Sequence, residues 1–257
     1  MSDQNNSPER PEQGPEGTRQ SPTVEGPMTA IVEFEVPADD MSMDEWLTLW
    51  GPRGDDARDF EPETCAYEAM VSVEDPTRVL AYERYTTGDA GLAFHMQRPS
   101  HAEIARALGD SGVNMKRTFI SKFVDLPGYG WWSRPERQSV FANEGALVIF
   151  LGMNFAGDAE RDAFIEISGG HADYCREAEP ETLVYSGGLS VADQAYGVDV
   201  EADLVFVMAC TDLAAMEQHR DDPRHLALGE PMAKAGCMPD IAFTKTYRTT
   251  AKGYLWK

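Results

Sequence analysis

Apolar and polar residues alternate along "TAIVEFEV" (29–36), and its residue types favour extended chain, so this stretch predicts a β-strand. The period then changes. "MDEWLTLWGPRGDDARDF" (43–60) gathers Trp46, Leu47, Leu49 and Trp50 on one broad apolar side, which predicts a helix that Gly51-Pro52 must kink or interrupt. "CAYEAMVSV" (65–73) and "RVLAYERYT" (78–86) return to strand character around a short Asp75-Pro76 turn. "DAGLAFHMQRPSHAEIARAL" (89–108) predicts a second helix, broken or restarted at Pro99, and "RTFISKFVDL" (117–126) predicts a last strand.

The order is β-α-β-β-α-β, a split ferredoxin-like unit. It occurs twice. "EPETCAYEAMVSVED" (61–75) matches "EPETLVYSGGLSVAD" (179–193), "DEWLTLWG" (44–51) matches "DAFIEISG" (162–169), and "FISKF" (119–123) resembles "FTKTY" (243–247). Even the ends echo each other, "GYGWW" (128–132) beside "GYLW" (253–256). Unit one spans 28–134 and unit two 135–257, its pattern resuming near 139 and its hairpin lengthened at "ADQAYGVDVEAD" (192–203). A four-stranded sheet with helices on one side leaves its other side bare, and two tandem units can cover each other face to face. The expected fold is therefore α+β, a homodimer fused into one chain. Residues 1–27, rich in Pro, Glu, Gln, Ser and Gly, cannot repay the entropy of ordering and are expected to form a disordered tail.

Composition narrows the function. Apolar residues make up 42% of the 257, enough for a sizeable core, while the formal net charge of −22 repels phosphate backbones and anionic lipid. Nucleic-acid and membrane partners and a polyanionic substrate are not expected; a neutral or weakly acidic substrate stays open. No window has the roughly 18–20 apolar residues of a membrane span, and the N-terminus lacks the apolar stretch of a secretory signal. Cys65, Cys175, Cys210 and Cys237 are widely spaced without C-x-x-C, which predicts reduced thiols, a cytoplasmic protein and no structural zinc site.

Five histidines are present, and four fall in two copies of H-x-x-x-P-x-H: His95 and His101, His219 and His225. A histidine titrating near neutrality suits proton abstraction from a phenol. The structural alternative is that these rings serve the backbone around the proline break. A metal is not expected, because six-residue spacing does not put both rings on one face of a continuous helix.

Strand "LAYERYT" followed by "LAFHMQRPSH" resembles the third strand and second helix of the antibiotic biosynthesis monooxygenase (ABM) family, whose members form dimeric α+β barrels. The resemblance extends over both units, and the tandem, aromatic-rich chain looks most like oxygenases of aromatic polyketide pathways. It implies a polycyclic phenol or anthrone as substrate, dioxygen as co-substrate, and reduced flavin as a further co-substrate in the ring-opening members. It also leaves open a non-catalytic ligand-binding or stress-response barrel, and an isomerase or cyclase. A homodimer of the tandem chain is a further expectation. Haem-degrading relatives carry a histidine further along the second helix; "AEIARAL" and "LALGEPM" have none there, so haem is not expected.

The units differ where chemistry would show. On the third strand, Tyr82-Glu83-Arg84-Tyr85 stands opposite Phe206-Val207-Met208-Ala209, and Trp46 and Trp50 stand opposite Phe164 and Ser168. Unit one is thus the expected working pocket, with unit two largely scaffold, although His171 opposite Arg53 gives unit two a candidate of its own. His95 and His101 are the expected bases and Arg84 the expected oxyanion stabiliser. Trp46, Trp50, Tyr67, Tyr82 and His219 are the expected substrate contacts. The alternatives are a surface Glu83–Arg84 pair and core tryptophans. No phosphate loop, nucleophile elbow or G-x-G-x-x-G after a strand is present, so no nucleotide cofactor is legible.

Overall fold

The computed structural model describes residues 23–137 and 144–257. Unit one runs β1 (Met28–Glu35), α1 (Met43–Phe60), β2 (Thr64–Ser72), β3 (Arg78–Tyr85), α2 (Asp89–Met96), α3 (Pro99–Asp110) and β4 (Lys116–Asp125). Unit two runs β5 (Leu147–Asn154), α4 (Asp158–Ala178), β6 (Thr182–Ser190), β7 (Leu204–Cys210), α5 (Leu213–Asp221), α6 (Pro223–Leu226), α7 (Gly229–Ala235) and β8 (Asp240–Thr249).

All eight strands join one closed antiparallel barrel in the order β1-β3-β2-β8-β5-β7-β6-β4. The units meet along two seams, β2 with β8 (Met70↔Thr249 to Ser72↔Tyr247) and β4 with β6 (Phe123↔Ser190 to Asp125↔Gly188). The two bare faces do cover each other as predicted, and pairing along the seams leaves no open sheet edge. Inside the barrel Ile31, Tyr82 and Phe123 of unit one meet Phe150, Val207 and Tyr247 of unit two. Burying a large apolar side chain stabilises by about 1.5–3 kcal/mol, so neither sheet face is stable in water alone.

Helices cover the outside. Helix α1 starts at a capping box, Ser42 with Glu45, and runs on through Pro52. The predicted kink or interruption does not appear as a break. Gly51 has no Cβ to clash with the proline ring, which removes the usual steric penalty on the preceding residue. Pro99 and Pro223 instead open new helices, α3 and α6, at their first turns.

The echoing ends form a reciprocal clasp. Trp131 exchanges backbone hydrogen bonds with Tyr185, and Tyr254 does so with Tyr67. A Cβ at Gly130 or Gly253 would fall within 2 Å of the Tyr185 or Tyr67 carbonyl oxygen (1.8 and 1.9 Å), so glycine is required at both crossings. Just beyond, Arg134 donates to the Cys175 and Glu179 carbonyls, and Lys257 to those of Ala57 and Glu61. Each unit's end thus caps the long helix of the other with a cation.

The expected disordered tail lies, for residues 1–22, outside the described residues. Its last five residues do not fit that expectation. Val24 is buried against Met28, Tyr85 and Leu92, and its N–H donates to the Asp89 carboxylate at 2.7 Å. One apolar residue in a polar stretch suffices to dock because Asp89 returns a second bond to the Val24 carbonyl, at 2.9 Å. All four cysteines are free, and no described helix is long and apolar enough to cross a membrane.

Candidate active site

Strand β3 decides what can enter the site. Its even positions Leu80, Tyr82 and Arg84 point into the barrel, and its odd positions Val79, Ala81, Glu83 and Tyr85 point towards the helices. Arg84 pairs there with Asp125, donates from Nε to Thr29 Oγ1 at 3.1 Å, and lies 3.7 Å over the Trp132 ring. Arg84 and Tyr82 are therefore corrected: neither faces the helix-side cavity. The surface Glu83–Arg84 pair does not form either, because neighbouring strand residues point to opposite faces.

On the helix side, the two duplicated motifs meet. Glu61, from "EPET", accepts from Thr64 Oγ1 at 2.6 Å and from His95 Nδ1 at 2.9 Å. Arg53, about two helical turns earlier, places Nη2 2.5 Å from the other Glu61 oxygen and against the His95 ring. The three side chains are fully inaccessible to solvent. Burial pushes the Glu61 pKa up, but the His95 hydrogen bond and charge, Thr64 and Arg53 outweigh it and hold the carboxyl at about 2. A folded pKa below the ordinary 4.5 contributes stability that is complete above that value and lost as pH falls towards 2. At about 1.36 kcal/mol per unit, the loss is roughly 3 kcal/mol. Melting temperatures followed by circular dichroism from pH 6 to pH 2 should therefore fall more steeply for the parent than for Glu61→Gln. Parallel profiles would refute the assignment.

The proline break explains the second histidine. Along a continuous helix His95 and His101 would diverge, but the restart at Pro99 turns α3 so that their ring centroids lie 5.7 Å apart. His95 is walled in behind Tyr67 and Tyr85, whereas His101 lines an apolar cavity of about 290 Å³ between the sheet and the helices. Burial first, and the neighbouring His95 second, lower the His101 pKa, so its ring is neutral and proton-accepting near pH 7. Trp46, Trp50 and Tyr67 stack in sequence, with centroids 5.0 and 4.9 Å apart. Trp50 and Tyr67 line the cavity, and Trp46 backs them with its N–H against Met115 Sδ. The Trp50 indole N–H is buried and has no protein partner.

Several residues of this site were not anticipated. Glu83 lines the cavity, accepting from Tyr85 Oη at 2.7 Å and standing 3.7 Å from His95 Nε2. Lys122 reaches it as well, held by Asp89 and by Asp193 of unit two at 2.5 and 2.6 Å. Tyr196 and Val198, from the long unit-two hairpin loop, close one side. Unit two is thus more than scaffold. The repeated "EPET" carried the signal for Glu61: it recurs with its histidine partner in both units.

Unit two fills the equivalent space. Ser168 stands where unit one has Trp50, and Tyr129 inserts beside it, with its hydroxyl 3.0 Å from Ser168 Oγ. His219, expected to contact substrate, is instead bonded to Glu179 at 2.8 Å in a buried cluster with His171, Cys175 and His225. Ligand atoms of His171, Cys175 and His219 lie within 4.8 Å of one another, an arrangement able to hold a metal ion. The expectation of no metal-competent site is corrected here. It weighed the H-x-x-x-P-x-H spacing as one helical face, and it did not join His171 to Cys175, which share a face of α4 at i, i+4. Burial first and the neighbouring histidines second lower the His171 pKa to about 4, and burial raises that of the Cys175 thiol.

No curated protein matches the chain. Among solved structures, a "putative monooxygenase" from Lactobacillus acidophilus shares 12% identity at TM-score 0.64, covering 91% of this chain and 100% of its own. A second of that description, from Fusobacterium nucleatum, gives 12% and 0.65 over 88% and 92%. An anthrone oxidase-like protein gives 14% and 0.51 over 89% and 94%. At such identities the likeness is one of fold, and it spans both units. Residues 27–107 match the family model described as antibiotic biosynthesis monooxygenase. Unit one is therefore similar to the antibiotic biosynthesis monooxygenase (ABM) family over residues 27–107, and unit two repeats the fold of unit one within one fused α+β barrel.

Proposed function

We propose that the protein is a monooxygenase that oxidises a polycyclic phenol or anthrone with dioxygen in the unit-one cavity. The observation that carries this reading is one apolar, aromatic-walled cavity lined by a neutral imidazole, His101, and by Trp50, whose buried indole N–H has no protein partner. The similarity to the ABM family and the names of the structurally similar proteins support the reaction class. The cavity is at the small end of the range for ligand sites, suited to a flat fused-ring molecule against the Trp50–Tyr67 wall.

In this reading His101 removes a proton from an anthrone CH₂, and Trp50 donates to the ring oxygen that takes up the charge. The carbanion's electron pair passes to dioxygen, forming a C–O bond, and the peroxide takes a proton. Loss of the second C–H as a proton then breaks the O–O bond. The carbon becomes a carbonyl, the other oxygen leaves as water, and four electrons have moved from carbon to dioxygen. The substrate supplies every electron, so this route needs no external reductant; ring opening would draw two electrons from reduced flavin. His95, Glu61 and Arg53 position His101 from behind and touch no substrate. The test is oxygen uptake and product analysis with anthrone and polycyclic phenols, with and without reduced flavin. Uptake that matches quinone formation one for one without flavin is expected. Turnover without oxygen uptake would point to an isomerase or cyclase, and binding without turnover to a ligand-binding barrel.

A further inference from the structure

We propose that unit two holds a structural zinc ion on His171, Cys175 and His219, with Glu179 as the fourth donor. In unit one the buried carboxylate of Glu61 is neutralised by the Arg53 guanidinium. Unit two keeps the carboxylate, as Glu179, and its histidine, as His219, but replaces Arg53 by His171 and Ala57 by Cys175. Among the described residues no lysine or arginine side chain pairs with the Glu179 carboxylate. A fixed cation has been exchanged for two potential ligands around a buried negative charge, the change expected where a metal ion supplies the positive charge instead.

The geometry is in keeping with that ion. Tetrahedral zinc, with Zn–S about 2.3 Å and Zn–N about 2.0–2.1 Å, separates a thiolate from an imidazole nitrogen by about 3.6 Å. Cys175 Sγ and His219 Nδ1 are 3.7 Å apart; Glu179 Oε2 is hydrogen-bonded to the same nitrogen at 2.8 Å, and zinc replacing that proton opens the pair to about 3.3 Å. His171 Nε2 and Glu179 Oε1 are buried without any hydrogen-bond partner, on side chains that are 4% and 8% exposed. Two orphaned donor atoms in one cluster are costly unless something binds them. Two imidazoles, a thiolate and a carboxylate form a donor set that suits zinc, and a cluster this enclosed leaves no open coordination position for substrate. His225, with its ring 4.6 Å from that of His219 and its Nδ1 also unpartnered, stands beside the ligands. Binding displaces the Cys175 thiol proton to solvent.

The test uses the full-length chain without an affinity tag, reduced, stripped with chelator and then given Zn²⁺ or Co²⁺ alone. About one zinc per chain should survive gel filtration, with a rise in melting temperature. The Co²⁺ form should show an intense near-ultraviolet thiolate-to-cobalt band. Cys175→Ala and His171→Arg install the residues that unit one already tolerates at these positions. Each should weaken zinc binding at least ~100-fold with the circular dichroism spectrum unchanged. Failure of the parent to retain zinc, a cobalt spectrum without the thiolate band, or equal zinc retention by both variants would overturn the proposal. The cobalt spectrum is read on the parent alone, so the test stands even if a variant does not fold.

Discussion

His101→Ala is expected to lower turnover of an anthrone or polycyclic phenol by about 10²–10⁴-fold, the usual effect of removing a positioned base, with substrate affinity and melting temperature little changed. The separation follows from where the ring stands. His101 lines the cavity and is only partly enclosed, and no carboxylate holds it as Glu61 holds His95. Its loss removes a proton acceptor without uncovering a buried charge. Arg84→Met should behave in the opposite way. Its guanidinium sits inside the barrel on Asp125 and Trp132, so the folded variant should keep its turnover while melting at a lower temperature. Steady-state kinetics beside thermal melts separate the two outcomes. A His101→Ala enzyme at full rate would remove His101 from the chemistry, and a folded Arg84→Met enzyme with collapsed turnover would return Arg84 to it.

The largest expected loss of stability is that of Arg53→Met, about 3–5 kcal/mol by urea denaturation, because it breaks a buried ion pair and leaves the Glu61 carboxylate without its guanidinium partner. Methionine fills much of the arginine's apolar volume, so the effect reports on charge more than on packing. Arg53→Met combined with Glu61→Gln should recover a good part of the loss, since no unpaired ion then remains. Additive losses in the double variant would show that the two side chains contribute independently.

The acidic composition, the period-2 strands, the repeated order and the echoing ends were legible in the sequence because they depend on local spacing and on self-similarity. So was the restart at Pro99, because a proline in the first turn of a helix gives up no hydrogen bond and its fixed φ suits a helix start. The resemblance of "LAYERYT" and "LAFHMQRPSH" to the ABM family was equally local, and the family match falls on that unit. Strand alternation puts Tyr82 and Arg84 on one face and Glu83 and Tyr85 on the other, a constraint that the surface Glu83–Arg84 alternative ignored.

Only the tertiary structure decided which face was which. In a barrel wrapped by helices both faces of β3 are buried, so polarity along the strand does not distinguish the interior from the cavity wall. Arg53 and Glu61 escaped notice for the same kind of reason. In "GPRGDDARDFEPET" they look like a solvated helix end, and their burial exists only because α1 packs its last turns over His95. Period and repetition are properties of neighbouring residues, and the sequence fully contains them. The environment of a charge depends on what covers it, and here the cover is contributed by residues as distant as the 42 positions between Arg53 and His95, so it comes into being only when the chain has closed on itself.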